Sequence, residues 1–350
     1  MTTKLYELDA YQVEFDANIL SQVKKDDYYD IVLDQTSFFP QEGGQTCDKG
    51  TLNGIEIYDV QIKKGIIHHY TKEELLSPVH GILDWNHRYS NMQNHTGEHI
   101  LSGIIHSYYH LENIGFHLGT SEITSDYNGI LSDTQIQEIE QNINRVIQEN
   151  HVVKTYYLKD YSNIEYRTKL DIDKPRLVEI EGIDLCACCA PHVQRTSEVG
   201  LFKIIKSMKI KNGTRLYFLC GNLAYQDYVL KHYEVKVISN LLSSNPYEVG
   251  NFVKKLISEN HRLKNEITTL NKLRIDEKNI PYKENHIVFE NGLDRETQLY
   301  YFNRLLEKAK RDVLLISDNR FMTNNLETLT SYTYRGGGKN GFYQGTLEKK

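Results

Sequence analysis

Two short strings in the sequence carry side chains able to hold a metal ion. In His95-Thr-Gly-Glu98-His99 two histidines stand four residues apart. On a helix that spacing puts both imidazoles on one face, about one turn apart. Cys188-Cys-Ala-Pro-His192, about ninety residues on, sets a thiol and an imidazole four apart across a proline-bearing turn. Joined in space, His95, His99, Cys188 and His192 offer three nitrogens and one sulfur, a tetrahedral set that suits Zn²⁺. Cys186 and Cys189 compete with Cys188 for the sulfur position. The string H-x-x-E-H also matches an inverted metalloprotease motif with Glu98 as base. That alternative needs a carboxylate ligand downstream and leaves Cys188 and His192 unemployed, and Glu98 then reads as a solvated helix residue. A third string, Phe39-Pro-Gln-Glu-Gly-Gly-Gln45, brings adjacent glycines whose backbone admits a ligand closely. Gly43, Gly44 and Gln45 are its candidate binding residues.

These residues need a folded scaffold, and the composition supplies one. The chain has 350 residues, 39% hydrophobic and 25% charged, with a net charge of −6. That excludes a disordered chain, a collagen-like repeat and a disulfide-dense mini-protein. No apolar run approaches the roughly 18 residues of a membrane span. The opening MTTKLYELDAYQ shows no cationic patch followed by an apolar stretch, so the expected location is cytoplasmic. Five cysteines, three of them crowded into four positions, suit metal or redox chemistry better than disulfides. Residues 203–215 concentrate Lys203, Lys206, Lys209, Lys211 and Arg215 without one acidic residue, a basic face within an acidic protein.

The expected fold class is α+β. Short Val/Ile/Tyr runs separated by Asp/Gly turns predict a β-barrel-like domain over 1–90. The pattern turns helical at Asn91, where Met92, Ile100, Ile104 and Ile105 share one side. A second helix follows a cap at Ser132 or Asp133, with Ile136, Ile139, Ile143 and Ile147 on one face. A hairpin is expected to turn at Asn212-Gly213. The zinc-binding domain is thus placed at 91–225, a helical arm at 226–284 and a small α/β domain at 285–350. In the arm, Val249, Phe252, Leu256, Leu263, Ile267 and Leu270 keep near a 3.5-residue repeat, which fits either a coiled-coil arm or a helical hairpin.

The three strings, in this order, resemble the editing domain of alanyl-tRNA synthetase and its free-standing relatives, the AlaX proteins. The family pattern LDxTxFYPEGGGQ, HTAxH, CxGTHV is similar to LDQTSFFPQEGGQ (33–45), HTGEH (95–99) and CCAPHV (188–193) here. KIKNGTRLYFLCG resembles the family's basic hairpin, and GFHLG (115–119) its strand after the first helix. Arg335-Gly-Gly-Gly-Lys339 looks like the glycine motif of the synthetase's C-terminal domain, so the long form of AlaX matches best. Departures are Glu42 at the first glycine of GGG, Cys189-Ala-Pro191 inside the cysteine turn, and Ser197 in the TGE step.

The resemblance implies an ATP-independent hydrolase that deacylates tRNA(Ala) mischarged with serine, and with glycine as a second substrate. It implies one Zn²⁺ per chain on His95, His99, Cys188 and His192. Gln45 and the Gly43-Gly44 backbone would hold the terminal ribose or carbonyl, and Thr36 would face the amino-acid side chain. The tRNA would lie on Lys203, Lys206, Lys209, Lys211 and Arg215, with Arg335 and Lys339 of the C-terminal domain. A homodimer would form through the arm or that domain. The alternatives are a zinc peptidase and a non-catalytic tRNA-binding protein with structural zinc.

Overall fold

Alternating apolar and polar residues between Glu14 and Leu83 form seven strands in a computed structural model that describes residues 2–119, 122–162, 164–168 and 174–348. They are β1 (Glu14–Ala17), β2 (Ile19–Lys24), β3 (Tyr29–Leu33), β4 (Gly50–Leu52), β5 (Ile55–Lys63), β6 (Ile66–Thr71) and β7 (Val79–Leu83). All pair antiparallel, in the order β1-β7-β4-β5-β6-β3-β2. The two edge strands, β1 and β2, are consecutive in the chain with only Asn18 between them. Opposite edges one residue apart force the sheet to curl. Phe15, Ile31, Leu33, Phe38, Leu52, Val60 and Ile67 fill its concave side.

Asp84 caps the next helix, α1 (Trp85–Tyr109), by accepting from the His87 N–H. The helix therefore starts six residues before the expected Asn91, because its first turns carry few apolar residues. Every residue from Asn91 to Ile105 is buried, so this middle stretch of α1 is covered on both its apolar and its polar face. Strands β8 (Asn113–Leu118) and β9 (Ile123–Tyr127) follow, then α2 (Asp133–Glu149), whose Ser132 cap forms a reciprocal capping box with Gln135. Ile139, Ile143 and Ile147 of α2 are buried and Ile136 half-buried, as their spacing predicts. After these come β10 (Val153–Tyr156), β11 (Leu177–Ile180), β12 (Asp184–Ala187), β13 (Phe202–Ile210) and β14 (Gly213–Cys220). They complete two antiparallel sheets, β8-β9-β14-β13 and β10-β11-β12. A second core gathers Met92, Ile104, Ile139, Ile143, Val178, Phe202 and Phe218 against α1 and α2.

The β13–β14 hairpin turns on Lys211-Asn212, one residue earlier than expected, since Ile210 already pairs with Gly213. Gly213 belongs to the ladder: a Cβ there would lie 1.8 Å from the Tyr127 carbonyl oxygen. Ile205 is bulged between Ile204 and Lys206, which moves Lys206 onto the same face as Lys203, opposite Tyr217.

Met1–Tyr233 forms one compact unit and Glu234–Lys350 another, a division that falls within the helix α3 (Gly221–Leu241). Both cores just described lie in the first unit. The second holds α4 (Val249–Asp276), α5 (Arg295–Leu306) and five strands: β15 (His286–Phe289), β16 (Val313–Ser317), β17 (Arg320–Thr323), β18 (Tyr334–Lys339) and β19 (Phe342–Leu347). Its sheet order is β15-β16-β17-β19-β18, with Tyr301, Phe302, Val313 and Leu315 in the core. The glycine motif forms β18, so Arg335, Gly337 and Lys339 share one face of an exposed strand. Leu256, Ile267 and Leu270 of α4 are more than half exposed, so the predicted apolar seam is open. Among the described residues, no helix is long and apolar enough to cross a membrane.

Within the first unit, α1 is bolted to the curled sheet by a fully buried ion pair between Arg88 and Asp48. Arg88 also donates to the carbonyls of Ala10 (2.8 Å) and Ser37, while Asp48 accepts from the Phe39 N–H (2.6 Å). Removing one member leaves a buried charge uncompensated. Asp48→Ala should therefore lower stability by about 3–5 kcal/mol, read as a shift of the urea midpoint at unchanged slope.

His69 is the second buried polar anchor. Its Nδ1–H donates to the Ile31 carbonyl (3.2 Å), so Nε2 accepts from the Thr36 hydroxyl (2.9 Å). Burial lowers its pKa from 6.5 to about 4. Between those values the unfolded chain binds a proton that the folded chain refuses, so stability is complete above pH 6.5 and drains away as pH falls toward 4, by about 3 kcal/mol in full. Urea titrations at pH 7 and pH 5 should show a drop about 2 kcal/mol smaller in His69→Gln than in the parent protein.

Candidate metal centre

The helical spacing of His95 and His99 puts both rings on the face of α1 that meets the turn after β12. There Cys188 and His192 come alongside. Ligand atoms of His95, His99, Cys188 and His192 all lie within 4.8 Å of one another. The Cys188 Sγ is 3.5 Å from His95 Nε2 and 3.3 Å from His192 Nε2. A tetrahedral zinc with bonds of about 2.3 Å to sulfur and 2.0–2.1 Å to nitrogen sets these edges near 3.6 Å. The donor set and these two sulfur–nitrogen edges fit zinc.

The Nδ1 of each imidazole is held by a different partner. His95 Nδ1 donates to Gln45 Oε1 (2.8 Å), His99 Nδ1 to Asp184 Oδ2 (2.9 Å), and His192 Nδ1 contacts the Thr96 hydroxyl (3.0 Å). A proton on Nδ1 leaves the Nε2 lone pair for a metal, so the acceptors Gln45 Oε1 and Asp184 Oδ2 fix the ligating tautomer of His95 and His99. Asp184 is fixed in turn by a two-pronged ion pair with Arg167 at 2.6 and 2.8 Å. Burial pushes the Asp184 carboxyl up, but the hydrogen bonds from His99 and Arg167 outweigh it and hold the group below the usual carboxylate range. Burial, followed by the neighbouring Cys189 and Cys186, pushes the Cys188 thiol up; burial, followed by His99 and His95, pushes His192 down. Burial thus favours the uncharged forms of Cys188 and His192, a cost that a dication at the site would relieve.

Of the competing thiols, Cys186 lies in a second group with His99 and Asp184. Burial, then the charge of Glu42, pushes the Cys189 thiol up to about 12. Cys188 alone joins all three histidines.

The centre opens into a cavity of about 500 Å³. Its walls include Glu42, Gly43 and Gly44 from the glycine turn, His95, Glu98 and His99 from α1, Phe116 from β8, and Arg167, Arg176, Cys186 and Cys188. Gly44 has a φ of +82°, and a Cβ there would lie 2.5 Å from the Phe116 carbonyl oxygen, so the turn needs glycine to seat against β8. The predicted Gly43 and Gly44 are therefore brought to the metal ligands.

Other predicted residues lie elsewhere. Gln45 is fully buried behind His95 and orients that ring rather than lining the cavity. Thr36 is also fully buried; its hydroxyl is taken by His69 and by the Phe38 N–H, and it is absent from the cavity wall. Glu98 is only 5% exposed, not solvated as its sequence context suggests, and accepts from Ser102, Asn113 and Ser125. Of the basic hairpin, Lys203 pairs with Glu140 (2.6 Å) and Arg215 with Asp126 (2.7 Å twice), while Lys206 lies over the Tyr217 ring. Lys209 and Lys211 are exposed near the hairpin tip. Sequence reading missed Asp184, Thr96 and Arg167. Thr96 lies inside the HTGEH string and Asp184 two residues before Cys186, the only signals available.

Deleting the Asp184 carboxylate should release the His99 ring and strand Arg167. Asp184→Asn is expected to bind zinc 10–100-fold more weakly, as measured by competition with a chromogenic chelator.

Residues 176–217, which carry Cys188, His192 and most of the basic hairpin, match the family model described as the threonyl and alanyl tRNA synthetase second additional domain. The alanyl-tRNA editing protein AlaX-L of Pyrococcus horikoshii is 34% identical over 236 residues, covering 63% of this chain and 58% of that protein. AlaX-M of Methanosarcina acetivorans is 34% identical over 244 residues, covering 62% of this chain and 98% of the relative. The alanine–tRNA ligase of Pyrococcus furiosus is 31% identical over 296 residues, 77% of this chain but 31% of the ligase. The chain thus spans under two thirds of AlaX-L and about a third of the ligase, and nearly all of AlaX-M.

Proposed function

Because the chain belongs to the AlaX family of alanyl-tRNA editing proteins, we propose that it hydrolyses the ester between a wrong amino acid and the 3′ adenosine of tRNA(Ala), without ATP. The substrates of this reading are chiefly seryl-tRNA(Ala) and, second, glycyl-tRNA(Ala), met in the cytoplasm. One observation carries it: His95, His99, Cys188 and His192 converge beside the Gly43-Gly44 turn in a cavity of about 500 Å³, room enough for an aminoacylated ribose.

Zinc on those four residues would polarise the ester carbonyl or hold the substrate in place. The rest falls to the chain itself. Backbone groups of Gly43 and Gly44 lie on the wall and offer close approach to the terminal ribose. Gln45 contributes by fixing His95, and Thr36 by securing His69 and the Phe38 backbone, so both act through the wall rather than on the substrate. Phe116, packed on the His95 ring at 4.9 Å, keeps bulk water from one side of the centre. The Lys206, Lys209 and Lys211 side chains, free of ion pairs among the described residues, supply phosphate contacts; Lys203 and Arg215 already answer acidic partners. Arg335 and Lys339 on the open face of β18 are the matching cations of the second unit. The exposed seam of α4 is where two copies would pair.

The peptidase alternative loses its support because the donors that meet His95 and His99 are a thiol and an imidazole, not a carboxylate. Incubating the protein with seryl- and alanyl-tRNA(Ala), with and without a zinc chelator, tests the reading. The seryl ester should be lost at least tenfold faster than the alanyl ester, and chelation should abolish that loss. Persistence of both esters in the metal-loaded protein would make the chain a tRNA-binding protein with a structural metal.

A further inference from the structure

Four glutamates lie on the cavity wall, at positions 7, 42, 98 and 112. Glu7 is answered by Lys4 (3.1 Å) and the Tyr157 hydroxyl (2.9 Å), and Glu112 by His106 (2.8 Å). Glu42 has an oxygen without a partner, but that atom is sealed from solvent and so from any ligand entering the cavity. Glu98 differs from all three. Its Oε1 accepts from Ser102, Asn113 and Ser125, which locks the carboxyl plane. Its Oε2 accepts from none of the described residues, and it is not among the atoms sealed from solvent. No lysine or arginine is paired with it among the described residues: Lys4 goes to Glu7, and the nearby Arg167 is committed to Asp184.

Glu98 lies three residues after His95 and one before His99, on the side of α1 that carries the metal ligands. Arg167 acts on this carboxylate only through space, since its hydrogen bonds go to Asp184, so an oriented oxygen on the cavity wall is left for a cationic donor from the ligand. In an aminoacyl ester, the α-ammonium is one carbon from the carbonyl, so an ester carbonyl at the histidine cluster brings its ammonium toward the neighbouring helix position.

We propose that Glu98 is the receptor for the α-ammonium group of the aminoacyl ester, so that the cavity selects substrates whose amino group is free. The inference rests on the reading of the cavity as an aminoacyl-ester site, and it adds a recognition contact that does not depend on which amino acid is attached. It also gives a reason for the donors around Glu98. Ser102 comes from the same helix one turn on, whereas Asn113 and Ser125 come from β8 and β9, so three elements hold one carboxyl group in register with the metal ligands.

Two non-hydrolysable probes test it: 3′-amino-3′-deoxyadenosine acylated with serine, and the same nucleoside acylated with glyceric acid, which replaces the ammonium by a hydroxyl. Binding is measured by calorimetry on zinc-loaded protein. The parent protein should bind the seryl probe at least tenfold more tightly than the glyceryl probe. In Glu98→Gln the seryl probe should weaken about tenfold while the glyceryl probe holds its affinity, with zinc content per chain unchanged; Glu98→Asp should regain part of the preference. Equal affinities of the two probes for the parent protein would overturn the proposal without recourse to any variant. Retention of the full preference by Glu98→Gln would overturn it as well. Binding of neither probe, together with stable seryl-tRNA(Ala), would instead refute the aminoacyl-ester reading, and this proposal with it.

Discussion

The candidate centre depends on the phase of one helix against one turn, and the buried Arg88–Asp48 pair sets both. Arg88 lies seven residues before His95, two turns of α1, so the two side chains leave the helix within about 20° of each other. Asp48 closes the loop that begins at Phe39 and contains the Gly43-Gly44 turn. One ion pair therefore fixes the rotation of the helix bearing His95 and His99 and the position of the turn forming the opposite wall. Taking both charges out of water is costly, and it is offset here by hydrogen bonds to the Ala10 and Ser37 carbonyls and from the Phe39 N–H. Such a pair contributes specificity of arrangement more than net stability.

Around the four candidate ligands the protein builds a shell of matched hydrogen-bond partners. The three Nδ1 atoms are held by the glycine turn, by α1 itself and by β12, so no single element can drift without loosening a ligand. Cys188 packs against both cores of the first unit and so lies on their seam. Burial keeps the Cys188 thiol and the His192 imidazole neutral, and Asp184, held as an anion by Arg167, accepts from the His99 ring and orients it. The buried carboxyl of Glu98 belongs to the same construction, because two of its three donors, Asn113 and Ser125, come from β8 and β9, and β8 also carries Phe116.

The basic hairpin shows how tertiary contacts redistribute a charge count. Five cations in thirteen residues read as one patch, yet Glu140 and Asp126, both distant in sequence, neutralise two of them. The bulge at Ile205 then decides which lysines share a face. What remains for an anionic partner is a shorter stretch toward the hairpin tip, at Lys206, Lys209 and Lys211.

The sequence alone determined the α+β class, the helix faces and the histidine pair of α1 as candidate ligands, because these follow from local geometry: four-residue spacing on a helix, alternation on a strand, and a capping serine before an isoleucine ladder. It placed the start of α1 late and the hairpin turn one residue off, since capping by Asp84 and the close approach of Gly213 to Tyr127 are made by neighbours rather than by periodicity. Only the tertiary structure decided which thiol joins the histidines, moved Gln45 and Thr36 behind the cavity wall, and turned Glu98 inward. Each of those outcomes depends on which segments meet across long stretches of chain, and no pattern within a few residues records that meeting.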